Sequence, residues 1–223
     1  MRATTSPSVL FDLDGVLVDS RVAISRCLSH ALGAQGLPQP SRDALERFIG
    51  PPLTQAFSEL TGHPQDSALV LACLASYRAR YRHASLLETS VFPEIPETLA
   101  TLAPNYRLAV ATSKSLAFAE PLLTALELRD SFEHVAGPDL DAHREDKTQT
   151  IARALTALAT TDAVMVGDRS LDIIGAHACG IPAIGVSWGI GSRHELSSAG
   201  ANIVVEDPHE LPEAVSKLLS QQS

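Results

Sequence analysis

The sequence predicts an α/β fold in which a Rossmann-like parallel sheet forms the core and an α-helical subdomain is inserted between strands 1 and 2. Two observations predict the core. Short β-rich apolar runs alternate with stretches of helical periodicity. The runs are almost continuously apolar, as strands are when helices cover both faces of the sheet. A third observation predicts the insertion. From about residue 18 to about residue 88 the alternation stops, and only helical patterns appear over a span too long for a simple crossover.

The strand runs, in order, are Val9-Leu10-Phe11, Leu108-Ala109-Val110-Ala111, His134-Val135-Ala136, Val164-Met165-Val166, Ala183-Ile184-Gly185-Val186 and Ile203-Val204-Val205. Between them Phe118, Leu122 and Leu126 share one helical face, as do Ile151, Leu155 and Leu158, and Leu211, Val215 and Leu218. Within the insertion, Ile24, Leu28 and Ala31 make a stripe closed by Gly33 and Gly36. Leu45, Phe48 and Ile49 make a second, closed by Gly50-Pro51-Pro52. Leu53, Phe57 and Leu60 make a third, closed by Gly62, and Val70, Leu74, Tyr77 and Tyr81 make the last. The expected division is therefore residues 1–17 with 89–223 as the α/β core and 18–88 as the helical subdomain.

The 223 residues suffice for one large domain, or for a domain plus a modest insertion. No apolar run approaches the roughly 20 residues of a membrane-spanning helix. The polar start Met1–Ser8 has no apolar core of the secretory type, so the expected location is cytoplasmic with no membrane partner. Cys27, Cys73 and Cys179 are odd in number, far apart and free of any CxxC spacing, which argues against a disulfide framework or a structural zinc site. The formal net charge of −9 argues against a nucleic-acid partner. It leaves an anionic substrate open, because a bound divalent cation can dominate the local field. The oligomeric state is not legible in the sequence, which is compatible with a monomer.

The chemistry concentrates first in Phe11-Asp12-Leu13-Asp14-Gly15-Val16-Leu17-Val18-Asp19-Ser20. Asp12 and Asp14 follow an apolar strand one residue apart, so alternation along an extended chain sends both side chains to the same side. Gly15 then permits a sharp change of backbone direction. The carboxyl end of a strand is where open α/β sheets bind ligands. Two close carboxylates repel, and a hard divalent cation such as magnesium is the simplest group to hold them together.

Asp12-Leu13-Asp14-Gly15-Val16 resembles the first motif of the haloacid-dehalogenase-like hydrolases, in their phosphatase branch. The resemblance implies that Asp12 is the nucleophile, that Asp14 is the general acid/base, and that the main-chain carbonyl of Asp14 coordinates Mg2+. Three further segments resemble the later motifs of the same family, in the same order. Thr112-Ser113-Lys114 follows the second strand run; there the resemblance implies a hydroxyl donating to the transferred phosphoryl group, assigned to Thr112, with the Ser113 backbone in support. Lys147, in Arg144-Glu145-Asp146-Lys147-Thr148, resembles the motif lysine whose charge offsets the carboxylates and the phosphoryl oxygens. Gly167-Asp168-Arg169-Ser170-Leu171-Asp172 resembles the fourth motif. It implies Asp168 as a direct magnesium ligand, and Asp172 acting through a water or orienting Lys147. Spacing four on a starting helix would put these two acids on neighbouring positions of one face.

Arg169 departs from the small or hydroxyl residue commoner at its place and is left outside the expected site. His177 and His194 lack a partner at ligand spacing and are read as structural or surface residues. The Gly-rich loop after Val186 is read as structural. The implied activity is Mg-dependent hydrolysis of a small phosphorylated metabolite through an aspartyl-phosphate, in the manner of phosphoglycolate-phosphatase-like and nucleotidase-like members with a small helical cap. Arg47-Phe48-Ile49-Gly50-Pro51-Pro52-Leu53 resembles the cap loop that faces the site in those members. Phosphoglycolate, a nucleoside 5′-monophosphate, pseudouridine 5′-phosphate and a sugar phosphate are all compatible substrates. A sugar-phosphate phosphomutase would use the same four motifs, and a non-catalytic interaction module on the scaffold is the alternative from another class. Dehalogenase chemistry leaves Asp14 without a role, and phosphonate cleavage requires a cap lysine that the span from Val18 to Leu87 lacks.

Overall fold

The computed structural model of the chain describes residues 6–140 and 146–220, so Met1–Thr5 and, near the expected lysine, Arg144 and Glu145 lie outside the described residues. In chain order the elements are β1 (Ser8–Phe11), β2 (Val18–Asp19), α1 (Arg21–Ala34), α2 (Arg42–Glu46), α3 (Leu53–Thr61), α4 (Ala68–Leu87), β3 (Ser90–Val91), α5 (Ile95–Leu102), β4 (Arg107–Ala111), α6 (Leu116–Ala125), β5 (His134–Ala136), α7 (Lys147–Ala157), β6 (Ala163–Gly167), α8 (Ser170–Ala178), β7 (Ala183–Val186), α9 (Arg193–Ser198), β8 (Ile203–Val205) and α10 (Leu211–Ser220).

Six strands form a parallel sheet in the order β5-β4-β1-β6-β7-β8. Side chains alternate across it, as the period of two requires. Val9, Phe11, Leu108, Val110, Val164 and Val166 enter one apolar layer with α5, α6 and α10, and Leu10, Ala109, Ala111, Ala163 and Met165 enter the other with α7 and α8. The two layers explain why the strand runs are apolar throughout. Removing Leu10 or Phe11, both fully buried, would expose a core on one side of the central strand at about 2–5 kcal/mol.

The chain divides into two compact units, Met1–Val18 with Val91–Ser223, and Asp19–Ser90. The second unit is helical. Its core comprises Ile24, Cys27 and Leu28 of α1 with Val70, Cys73, Leu74, Tyr77 and Tyr81 of α4. Tyr77 stacks on Tyr81 at 5.1 Å and meets the Phe57 ring edge-on at 6.1 Å. The stripe Leu45-Phe48-Ile49 is only partly helical: α2 stops at Glu46, and Phe48 and Ile49 are buried from the turn that follows. Pro51 disfavours the helical region for the residue before it, and Gly50 takes φ 107. The strands β2 and β3 pair with each other and are two residues long, too short to leave a period-two signal. Among the described residues no helix is long and apolar enough to cross a membrane.

What matters for function is the carboxyl edge of the sheet. Phe11 is in register with Val110 on one side and Val166 on the other. Asp12, one position past Phe11, and Thr112 and Asp168, two positions past Val110 and Val166, therefore emerge together at one edge. Here β1 is also the switch point, with β4 and β5 to one side and β6, β7 and β8 to the other.

Candidate active site

Asp12 sits one residue past β1 and is 6% exposed. Its amide donates to the Val166 carbonyl at 2.9 Å, extending the β1–β6 ladder by one step, and the Leu13 amide donates to Asp12 Oδ1 at 2.8 Å. The counter-charge is Lys147. Its Nζ lies 2.9 Å from Asp12 Oδ1 and 2.8 Å from Asp172 Oδ1. Lys147 is the first residue of α7, and the preceding Asp146 fixes that start with a reciprocal cap: Gln149 N donates to Asp146 Oδ1 at 2.9 Å, and Asp146 N donates to Gln149 Oε1 at 3.0 Å. Burial disfavours the charged lysine, but the attraction of Asp12 and Asp172 outweighs it and holds the ammonium above the ordinary lysine range.

Asp168 and Asp172 come together by a different route from the helical spacing expected of them. The helix α8 begins only at Ser170, so Asp168 belongs to the end of β6 and Asp172 to the first helical turn. The neighbourhood is made by the strand-to-helix turn, in which the Arg169 amide donates to Asp172 Oδ2 at 3.0 Å. Carboxylate oxygens of Asp12, Asp168 and Asp172 all lie within 4.8 Å of one another. Asp168, 1% exposed, accepts the Ile190 amide on Oδ2 at 2.8 Å, while its buried Oδ1 has no hydrogen-bond partner among the described residues.

Asp14 stands apart from these three. Gly15, at φ 84, turns the chain, and its amide donates to the Val18 carbonyl at 2.9 Å. Asp14 Oδ1 lies 2.9 Å from Lys114 Nζ, whose side chain is 5% exposed. Lys114 is the residue that sequence reasoning missed: it was read only as the tail of Thr112-Ser113-Lys114. A charge count held the signal, because four acids gathered at one sheet edge need more than one lysine. Thr112, 1% exposed, accepts the Lys114 amide on Oγ1 at 3.1 Å, which leaves its own O–H to donate, and Ser113 beside it is half-buried. Arg169 turns away, its Nε donating to Glu195 at 3.0 Å, and His177 shares a hydrogen bond with Asn202 at 3.2 Å.

The charges around Asp12 test the fit of a cation. Lys114 balances Asp14 and Glu195 balances Arg169. Among the described residues, Lys147 pairs with Asp12 and Asp172 while Asp168 lies beside them, so three carboxylates crowd one ammonium in a buried place. A divalent cation matches that excess, and the bare Asp168 Oδ1 is an oxygen such a cation would use. Burial first, then Asp172 and Asp12, push the Asp168 carboxyl well above the usual range. Burial likewise pushes Asp172 up to about 6, although Lys147 pulls against it.

These shifts set the pH dependence of the metal-free chain. A carboxyl whose folded pKa is raised binds its proton more tightly in the folded state. The stability it contributes is fully present below its unfolded value near 4 and is lost as pH rises through about 6. Stripped of metal, the chain should lose roughly 2–3 kcal/mol of stability from this carboxyl between pH 4.5 and 7.5. Denaturant titrations with chelator at both pH values measure it. Asp172→Asn should flatten the slope, and an equal slope in that variant would refute the assignment.

Comparison with known proteins places this geometry. Residues 9–186 match the model of the haloacid dehalogenase-like hydrolase family. A 5′-nucleotidase of Pseudomonas aeruginosa is 39% identical over 193 residues, covering 85% of this chain and 86% of that protein. A phosphoglycolate phosphatase of Rhodospirillum rubrum is 32% identical over 210 residues, covering 90% and 87%. The crystal structure of a predicted phosphatase from Clostridium acetobutylicum superposes with a TM-score of 0.90 at 32% identity, covering 96% of this chain and all of that one. With four acids and two lysines brought to the switch point of a parallel sheet, and most of its length matched, the chain belongs to the haloacid dehalogenase-like hydrolase family.

Proposed function

We propose that this chain is a phosphatase, a magnesium-dependent phosphomonoester hydrolase that acts on a small phosphorylated metabolite in the cytoplasm. The observation that carries the reading is the buried Asp12 carboxylate, held by Lys147 at 2.9 Å within a cluster of three carboxylates. The relatives described as a 5′-nucleotidase and a phosphoglycolate phosphatase support the same class of chemistry.

The substrate presents its phosphorus in line with an oxygen of Asp12. The Asp12 oxygen–phosphorus bond forms as the bond to the leaving oxygen breaks, giving an aspartyl-phosphate and dividing one difficult step into two. Asp14 gives a proton to the leaving oxygen, then takes one from the water whose attack on phosphorus breaks the Asp12 oxygen–phosphorus bond, freeing the carboxylate and inorganic phosphate. The Thr112 hydroxyl and the Ser113 backbone donate to the phosphoryl oxygens, and Lys147 adds fixed positive charge where charge builds up. Asp172 keeps Lys147 in place through its 2.8 Å contact. The Asp12 carboxylate, the Asp14 main-chain carbonyl and the Asp168 carboxylate are the groups that would hold Mg2+. When bound, the ion offsets negative charge on the phosphoryl oxygens.

The test is a screen of phosphoglycolate, nucleoside 5′-monophosphates, pseudouridine 5′-phosphate and sugar phosphates, ranked by kcat/KM with and without chelator. Phosphate release should fall to background in chelator and return with added magnesium. A folded chain that binds magnesium yet releases no phosphate from any of these, or from an aryl phosphate, would sink the proposal in favour of a non-catalytic module. Conversion of one sugar phosphate into its isomer after priming with a sugar bisphosphate would instead identify a phosphomutase.

A further inference from the structure

The loop between β7 and α9, Trp188-Gly189-Ile190-Gly191-Ser192, reads in the sequence as a structural glycine turn. In the structure it encloses Asp168. The Ile190 amide occupies Asp168 Oδ2 at 2.8 Å. The glycines on either side of Ile190 are required by space. A Cβ on Gly189 would lie 2.5 Å from the Gly15 main-chain oxygen and 2.6 Å from Asp168 Cβ, and a Cβ on Gly191 would run into the Asp168 main-chain oxygen. Gly15 supplies a third wall, because a Cβ there would lie 2.5 Å from Asp168 Cγ. Backbone atoms of Gly15 and Asp168 are among the obstructing atoms, and these cannot swing aside cheaply. Trp188, the chain's single tryptophan, donates from Nε1 to the Val16 carbonyl at 3.1 Å and ties the loop to the turn after Asp14.

The loop thus grips two places at once, the Asp168 carboxylate and the Gly15–Val16 turn. One oxygen of Asp168 is committed to Ile190, and the other is buried without a hydrogen-bond partner among the described residues. A carboxylate held by one oxygen and packed against Gly15 and Gly189 has little room to turn the other toward a new donor. We propose that this glycine loop is a positioning device for the cation site. It locks Asp168 so that Oδ1 is kept bare for a divalent ion, and it sets Asp168 in fixed register with the Asp14 main-chain carbonyl that precedes Gly15. Gly189, Ile190, Gly191 and Trp188 are accordingly positioning residues. The inference rests on the reading above that Asp168 and the Asp14 carbonyl are ligands to magnesium.

The experiment is calorimetric titration of magnesium into the full chain after removal of metal by chelator, for the wild type, Gly189→Ala, Trp188→Phe and Gly180→Ala. Gly180 also has positive φ, at +76, but a Cβ on it meets nothing within 4 Å, so its variant carries backbone strain remote from Asp168. Gly189→Ala should weaken magnesium binding about 10- to 100-fold, the usual effect of losing a partner that orients a ligand. Trp188→Phe keeps an aromatic side chain but loses the indole N–H bond and part of the ring volume, and should weaken binding roughly two- to tenfold. Gly180→Ala should melt at a lower temperature and bind magnesium as the wild type does. Trp188→Phe decides the matter if Gly189→Ala does not fold. Wild-type affinity in the folded Gly189 and Trp188 variants would overturn the proposal while leaving the magnesium reading intact, as would an equal loss in Gly180→Ala. A wild-type chain that binds no magnesium would overturn that reading and the proposal with it.

Discussion

Asp12→Asn should lower kcat by at least about 10⁴-fold while the chain keeps its fold. The amide is nearly isosteric with the carboxylate but is a poor nucleophile, so the covalent step has no donor of electrons. The fold should survive because the backbone hydrogen bond of residue 12, from its amide to the Val166 carbonyl at 2.9 Å, does not involve the side chain. Lys147 also keeps its contact with Asp172 at 2.8 Å. Steady-state assays saturated with magnesium, beside a thermal melt followed by circular dichroism, measure both halves. Residual turnover well above the background of a mock preparation would show that Asp12 is not the nucleophile.

Lys147→Met should destabilise the metal-free chain by about 3–5 kcal/mol at pH 7.5, because it leaves buried carboxylates without their counter-charge. The sign of the pH dependence follows from the same groups. As pH falls through about 6, Asp172 takes up a proton and needs the lysine less, and Asp168, pushed well above the ordinary carboxylate range, does likewise. The stability gap between variant and wild type should therefore narrow at pH 5 and widen at pH 7.5. Magnesium should restore part of the loss by mass action, since it binds the folded state. Denaturant titrations at both pH values, with chelator and with magnesium, provide the numbers. A gap that is constant with pH would mean that Lys147 contributes packing rather than charge. Turnover by the variant should fall by about 10²–10³-fold for loss of one fixed positive group at the phosphoryl oxygens.

Parts of the candidate site were legible in the sequence. The nucleophile candidate, the motif lysine and the Asp168–Asp172 pair sit directly after apolar runs or at a capped helix start, and such positions announce themselves by type and order. The six strands of the sheet were legible for the same reason, since a buried parallel strand leaves an unbroken apolar run. Lys114 was not legible as a partner of Asp14, because nothing local says which way a lysine past a strand end will reach. The Ile190 amide was not legible either: a main-chain N–H carries no residue identity, and its target, Asp168, is 22 positions away. The stripe at Leu45-Phe48-Ile49 misled because apolar spacing reports burial, and a turn held by Gly50 and Pro51 can bury the same side chains as a helix.

By itself the sequence determined the alternation of strands and helices, the place of the helical insertion and the four acid- and lysine-bearing segments, because each is a matter of local pattern and polarity. Only the tertiary structure decided how the charges pair: Lys147 with Asp12 and Asp172, Lys114 with Asp14, and the Asp168 carboxylate between a glycine loop and the turn at Gly15. Pairing depends on distances of about 3 Å between residues far apart in the chain. Those distances are set by strand register and close glycine packing, which no single segment contains.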